Sequence, residues 1–289
     1  MSSTKHYLFE QVLVLILGGG DLASGVAYRM RKAGFPVAIT ELARPTMVRT
    51  AISYGAAAIH RAVIVEGIPA RQATLEQVPE VLATGAIPVI IDPDGQAIHA
   101  LRPTVLIDGR VAKVNLGVTI SDAPLVVGLG PGFSAGIDCH AVVETNRGHR
   151  LGRVFWEGSA EPDTGVPGAV GGKESERVLR APADGMVWQH KVPGQHVTAG
   201  MVVARVGEVP VTAPFDGVLR GLIDEEVIVT KGLKIGDIDP RSQQKNCFTI
   251  SDKSLAVGGA VVEAVLSADP VRAAIGGGFL TAGDATRIS

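Results

Sequence analysis

The chain alternates continuous apolar runs with segments of helical period, the pattern of strands buried on both faces and covered by helices. Residues 12–17 form the first run. Gly18-Gly19-Gly20 then turns the chain. Leu22, Val26, Met30 and Ala33 follow on one helical face, opposite Arg29, Arg31 and Lys32. Gly34 supplies a C-terminal stop, and Pro36 opens a second strand, Val37 to Thr40, which ends in Glu41. Further on, the pattern predicts a short helix over residues 44–53 and strands at Ala62–Val65, Ile87–Ile91 and 104–107. It also predicts a helix over residues 75–84. Strands spaced by helices imply an α/β fold with a mostly parallel sheet. Asp92 and Asp108 close two of these strands, where either a ligand or an ordinary turn would use them.

A strand at 125–127 leads into a second glycine loop, Gly128-Leu129-Gly130-Pro131-Gly132, which Pro131 makes unlike a dinucleotide loop. Residues 137–145 read as a strand, with Asp138, His140 and Glu144 on one face. Such a face serves acid/base chemistry or a metal, or is simply exposed. Arg147 and His149 lie in a loop of anion-binding character. A glycine-rich stretch then runs to Gly172, as a functional loop or a linker.

An internal repeat follows. Ala181-Pro182-Ala183-Asp184-Gly185 recurs as Ala213-Pro214-Phe215-Asp216-Gly217, and Val197-Thr198-Ala199-Gly200 as Val229-Thr230-Lys231-Gly232, both displaced by 32 residues. Each copy reads as short strands joined by Asp-Gly and Gly turns. Two interlocked copies resemble the barrel-sandwich fold of biotinyl and lipoyl domains. Those domains present a modifiable lysine between their halves. Residues 206–210, at that place, contain none, and Lys231 and Lys234 lie elsewhere. The repeat is thus expected to dock or clamp, not to carry.

The first turn carries the strongest chemical signal. Gly18, Gly20 and Ala23 fit G-x-G-x-x-G/A, and Glu41 lies roughly 20 positions after Gly20. Gly18 would permit the tight turn, Gly20 the approach of a pyrophosphate, and Ala23 close packing of helix on strand. Glu41 would hold ribose hydroxyls. Asp21 runs against this, since its charge repels phosphate unless it merely caps the helix. Cys247 is either a reactive thiol or an inert buried one, and Cys139 is the weaker candidate.

Composition narrows the setting. The 289 residues are 46% hydrophobic with 36 glycines, which suits a glycine-looped α/β protein. A net charge of −2 without a basic stripe gives no support to nucleic-acid binding. The apolar run at 12–17 is too short for a membrane, and two distant cysteines form neither a disulfide framework nor a metal pattern. A cytoplasmic setting is expected. The chain divides into a Rossmann-like nucleotide-binding unit (1–115), a glycine-rich α/β continuation (116–175), the duplicated module (176–241), and a strand, helix and flexible tail (242–289). In the tail, residues 246–252 read as a strand and 255–266 as a helix containing Gly258-Gly259.

Taken together, these residues resemble the YqeB-type accessory proteins of the selenium-dependent molybdenum hydroxylase system. The resemblance rests on Gly20-Asp21-Leu22-Ala23, Gly128-Leu129-Gly130-Pro131-Gly132-Phe133, His140-Ala141-Val142-Val143-Glu144-Thr145 and Arg147-Gly148-His149. It extends through Arg180 to Gly185, Val229 to Lys234, and Cys247 to Lys253. It implies a role in maturing a client molybdenum hydroxylase, with a nucleotide or the molybdenum cofactor bound and selenium or sulfur handled. Two alternatives stay open: an NAD- or NADP-dependent oxidoreductase using Gly18, Gly20 and Glu41 with His140 as acid/base, or a non-catalytic scaffold. Glycines 128, 130 and 132 would add to a cofactor site if both glycine loops face one cleft. The oligomeric state is left open.

Overall fold

A computed structural model of the chain describes residues 6–163, 165, 172–225 and 227–276. The chain opens with β1 (Val14–Leu17), α1 (Asp21–Lys32) and β2 (Val37–Glu41). It continues through α2 (Ala57–His60), β3 (Ala62–Val65), β4 (Ile68–Ala73), α3 (Val78–Ala83), β5 (Ile87–Ile91) and α4 (Gln96–Leu101). Then come β6 (Val105–Asp108), β7 (Leu125–Leu129), β8 (Ala141–Val143) and β9 (Val154–Phe155). These strands form one sheet in the order β3-β4-β5-β2-β1-β6-β7-β8-β9. Every pairing from β4 to β8 is parallel. The edge pairs β3–β4 and β8–β9 are antiparallel. Chain order reverses at β1, with β2 and β5 on one side and β6 and β7 on the other. A crevice beyond the strand C-termini opens at such a point.

Fully buried Val14, Ile16, Val37, Ile39, Val105 and Ile107 make one face of the sheet, and Val26 and Met30 of α1 cover it. The C-terminal helix joins that layer, as explained below.

The repeat forms β10 (Val178–Arg180), β11 (Gly185–Gln189), β12 (His196–Val197), β13 (Val202–Val206), β14 (Val209–Thr212), β15 (Gly217–Leu222), β16 (Ile228–Val229) and β17 (Lys234–Asp239). They make two four-stranded sheets, β10-β17-β15-β12 and β14-β13-β11-β16. Adding the 32-residue displacement to β10, β11, β12 and β13 gives β14, β15, β16 and β17, which turns one sheet order into the other. Each sheet therefore mixes strands from both copies, as in β11 with β16 and β12 with β15. Val187, Val203, Leu219 and Ile235, two from each copy, are fully buried in one shared core.

The chain returns to the first unit through α5 (Asp252–Ser267) and α6 (Asp269–Ala274). Ser251 caps α5, its side chain accepting from the Ser254 amide at 3.1 Å. Helices α1 and α5 touch backbone to backbone. A Cβ on Gly25 would lie 2.5 Å from the Ser254 carbonyl oxygen, and one on Gly258 would lie 2.5 Å from that of Gly25. Asp21 meets Ser254, Gly25 meets Ser254 and Gly258, and Arg29 meets Gly258, so the helices run parallel with their N-termini side by side.

Three predicted elements differ. Residues 44–53 hold only a 3-10 turn, Thr50–Ile52; Pro45 disfavours helix at Arg44, and the segment is drawn into contact with the glycine loop. The strand expected over 137–145 shrinks to Ala141–Val143, because Ser134 and Asp138 close a turn ahead of it. Residues 246–252 are not a strand: a 3-10 turn, Gln244–Cys247, leads into the cap of α5. Two strands of this sheet went unpredicted: the short edge strand β9, and β4, which follows the two-residue turn Glu66-Gly67. Among the described residues no helix is long and apolar enough to cross a membrane. Most of the expected tail, beyond residue 276, lies outside the described residues.

Candidate anion-binding site

The C-terminal ends of β1, β6, β7 and β8 open into a cavity of about 530 Å³. Gly20 and Asp21 enter it after β1, Gly109 and Arg110 after β6, Pro131 after β7, and Thr145 and Asn146 after β8. Both glycine loops therefore reach one cleft. The opposite wall comes from the duplicated module through Arg177, Arg220, Lys234 and Asp237, and α5 adds Ser251 and Lys253. Among the described residues, eight Lys or Arg line the cavity against four Asp or Glu. The paired N-termini of α1 and α5 add partial positive charge to the same wall.

Asp21 does not leave this wall negative. Its Oδ2 pairs with Arg49 at 3.0 Å, and its Oδ1 accepts from Ser254 Oγ at 2.7 Å. Arg49 also donates to the carbonyls of Asn246 and Thr249, tying the cavity's two sides together. The Nε atoms of Arg49 and Arg220 are buried and have no hydrogen-bond partner. Asp108 is buried and holds Arg110 through both carboxylate oxygens. Asp92 caps α4, accepting from the Gln96 and Ala97 amides, away from the cavity.

The dinucleotide pose meets an obstacle. Glu41 accepts from the Gly19 amide and from its neighbour Leu42, both at 2.8 Å, so both oxygens are engaged. Burial pushes its carboxyl above the usual value, and these two amides pull back against that shift. Gly55 donates to the Gly19 carbonyl, and a Cβ on Gly55 would lie 2.8 Å from Glu41 Oε2. The chain's own residues 47–56 thus fill the space beside the glycine turn that a ribose on Glu41 needs. Gly18 holds the turn at φ +83°, and Ala23 packs at 0% exposure, as the fingerprint requires for shape alone. In the second loop, Gly128 faces Phe133 too closely for a side chain, and Gly130 and Gly132 take positive φ.

The other predicted residues do not meet here. His140 Nδ1 accepts from the Val126 amide at 3.0 Å, and burial lowers its basicity. Asp138 accepts from the Ser134 amide, and Glu144 from those of Asn146 and Glu161. The shared face expected of Asp138, His140 and Glu144 is therefore absent, each side chain holding local backbone instead. Among the described residues no three His, Cys, Asp or Glu could hold a metal. Cys247 is buried, 3.7 Å from the Leu219 carbonyl, and burial raises its thiol. Burial likewise pushes Cys139 up to about 12. Both environments favour protonated, weakly nucleophilic thiols. Arg147 forms a two-point pair with Asp252, whose carboxyl it holds down at about 2.

The cations of the module were the residues missed. Arg177, Arg220 and Lys234 belong to no local motif, although Lys234 falls within a stretch that carries the family resemblance.

No protein-family model matches the chain. Two solved structures overlap it weakly. The product-bound ectoine utilization protein EutE (DoeB) from Ruegeria pomeroyi is 11% identical with a TM-score of 0.25, covering 79% of this chain and 85% of that one. A succinylglutamate desuccinylase/aspartoacylase from Rhodobacter sphaeroides is 15% identical, with the same TM-score and coverage. Overlap that slight bears on neither fold nor chemistry. In sequence, the chain is 44% identical over 255 residues, 88% of its length, to the uncharacterized protein YqeB of Escherichia coli strain K12, and it spans 47% of that protein. Over those 255 residues the chain belongs to the YqeB family, and it corresponds to about half of that relative's length.

Proposed function

We propose that the chain is an accessory protein that binds a phosphate-bearing small molecule on behalf of a molybdenum hydroxylase. The ligand favoured by the family resemblance is the nucleotide-bearing molybdenum cofactor. The observation that carries the reading is the excess of cations around one cavity at the sheet's topological switch, beside two helix N-termini. Its volume falls within the roughly 300–1,000 Å³ of small-molecule sites. The donor set fits the phosphate end of such a cofactor: Lys253 and Lys234 would supply point charges and Arg220 a planar fork. When bound, the cofactor would bring molybdenum redox chemistry to its client; the residues here bind and orient its anionic end.

We read the interlocked sheets as a barrel-sandwich module. The turn between β13 and β14, Gly207-Glu208, offers no lysine for a carrier group, which supports a role in closing over ligand or docking the client. The engagement of Glu41 weighs against a nicotinamide oxidoreductase. The burial of Cys247 gives no support to chalcogen transfer through that thiol.

A thermal-shift series on the full chain tests the reading, with CTP, ADP, NAD, NADP and the cytidine-dinucleotide form of the molybdenum cofactor. Ligand at about 100 times its Kd adds about 2.7 kcal/mol, a rise of several degrees. The expected result is a rise with the cofactor form that Lys253→Ala diminishes. No rise with any of the five would overturn the proposal. A rise with NAD or NADP alone would return the oxidoreductase reading.

A further inference from the structure

The cavity's cations come from two parts of the chain, the parallel-sheet unit with α5 and the duplicated module. On the core side, Lys253 stands in the first turn of α5. Burial and then the charges of Arg147 and Lys113 disfavour its protonated form. Those two neighbours have carboxylates of their own: Arg147 pairs with Asp252 at 2.7 Å and Lys113 with Asp163 at 2.9 Å. Among the described residues Lys253 forms no ion pair, although the charges of Asp21 and Glu144 reach it, and it stands beside two helix N-termini.

On the module side, Lys234 opens β17. Burial again comes first, with Arg177 and Arg220 as the like charges felt. Here Asp237 pairs with both Arg177 and Arg220. Among the described residues Lys234 itself forms no ion pair, although the charge of Asp237 reaches it. Partly buried positive charge with no partner in contact is costly and is held in place when an anion completes it. Asp21, an acid whose charge reaches both lysines, is itself paired with Arg49.

We propose that the site takes a ligand with two anionic groups, a pyrophosphate or longer polyphosphate ester, held at one end by Lys253 with the α1 and α5 N-termini and at the other by Lys234 with Arg220, so that ligand fastens the duplicated module to the parallel-sheet unit. This rests on the anion-binding reading above and adds a valence and a mechanical consequence. Binding closes a wall built from two parts of the chain. Existing ties, such as His60 to Asp224 at 2.7 Å and Arg49 to the Asn246 carbonyl, already set the parts face to face.

Calorimetric titration of the full chain with inorganic phosphate, pyrophosphate and CTP, at one ionic strength, tests it. Pyrophosphate and CTP should bind at least about tenfold more tightly than phosphate. Lys253→Ala and Lys234→Ala should each bring pyrophosphate down to the affinity of phosphate. Lys253→Met and Lys234→Met keep the buried stems and serve wherever an alanine variant does not fold. If phosphate and pyrophosphate bind alike, or only one lysine matters, the site has a single anionic position; the two-group inference then falls and the anion-binding reading stands. If none of the three probes binds, both fall.

Discussion

Two adjacent glycines in α5 should respond to alanine with opposite signs. Gly258 is buried against α1, and a Cβ there would lie 2.5 Å from the Gly25 carbonyl oxygen and 2.8 Å from Arg29 Cγ. The arginine stem can swing aside, but the backbone oxygen cannot. An ordinary carbon–oxygen contact is about 3.3 Å, so the helices must part by roughly 0.8 Å. Overpacking of that kind costs about 1–3 kcal/mol, and the gain in helix propensity offsets about 1 of it. Gly258→Ala should therefore destabilise by up to about 2 kcal/mol, or up to roughly 4 °C in Tm for a chain this long. Gly259 is exposed, with nothing within 4 Å of a built Cβ. Gly259→Ala keeps only the propensity gain and should raise Tm by about 1–2 °C. Both variants change the same helix by one methyl group, so the difference between them isolates the contact. Differential scanning calorimetry measures it. Anion affinity should fall in the first variant and hold in the second, because the α1 and α5 N-termini are aligned by this contact. If both variants raise Tm equally, the helices are not in backbone contact, and the paired N-termini lose their support.

Glu41→Ala strands the Gly19 and Leu42 amides and should cost about 2–4 kcal/mol by chemical denaturation, with Glu41→Gln milder. Because burial raises this carboxyl in the folded chain, folding favours its protonated form. Its stabilising contribution is complete below the ordinary value of 4.5 and is lost as pH rises through the raised one. Glu41→Gln should therefore remove a fall in stability with rising pH just above 4.5; an unchanged profile would refute the assignment. Ellman's reagent at pH 8 should leave Cys139 and Cys247 untouched in the native chain and titrate both in denaturant, as their burial requires. Rapid native labelling of Cys247 would reopen the thiol chemistry that its environment disfavours.

Patterning alone made the strands legible wherever both faces are buried. The apolar runs at β1, β2, β5, β6 and β7 suit strands covered on both faces of a parallel sheet. The repeat was equally plain, since one displacement of 32 residues relates every strand of the module to its counterpart. What failed was local periodicity overruled by long-range contacts. Residues 44–53 read as a short helix, yet Asp21 draws Arg49 away, and Ser24 and Gly19 of the first turn hold Tyr54 and Gly55 just beyond. The hairpin β3–β4 had a signal that went unused: Glu66-Gly67, both at positive φ, is a two-residue turn between apolar stretches, and Pro69 obscured the second strand.

In the first turn, the shape of the motif and the engagement of its acidic residue part company. Gly18, Gly20 and Ala23 serve the geometry that the fingerprint describes, while Glu41 turns inward to hold that loop instead of a ribose. The residue that argued against phosphate, Asp21, is neutralised by Arg49, 28 positions away, and by Ser254, 233 positions away. A charge assessed within its own turn takes the wrong sign of influence when its partners come from distant segments. The cavity compounds this: its cations come from the loop after β2, the loops following β6 and β8, three separate positions of the duplicated module, and α5. A cleft assembled from single residues on separate segments leaves no spacing to detect, and the −2 net charge of the whole chain hides its local excess of cations. The same dispersal constrains mechanism, because an anion held by all these segments at once must couple the module to the sheet.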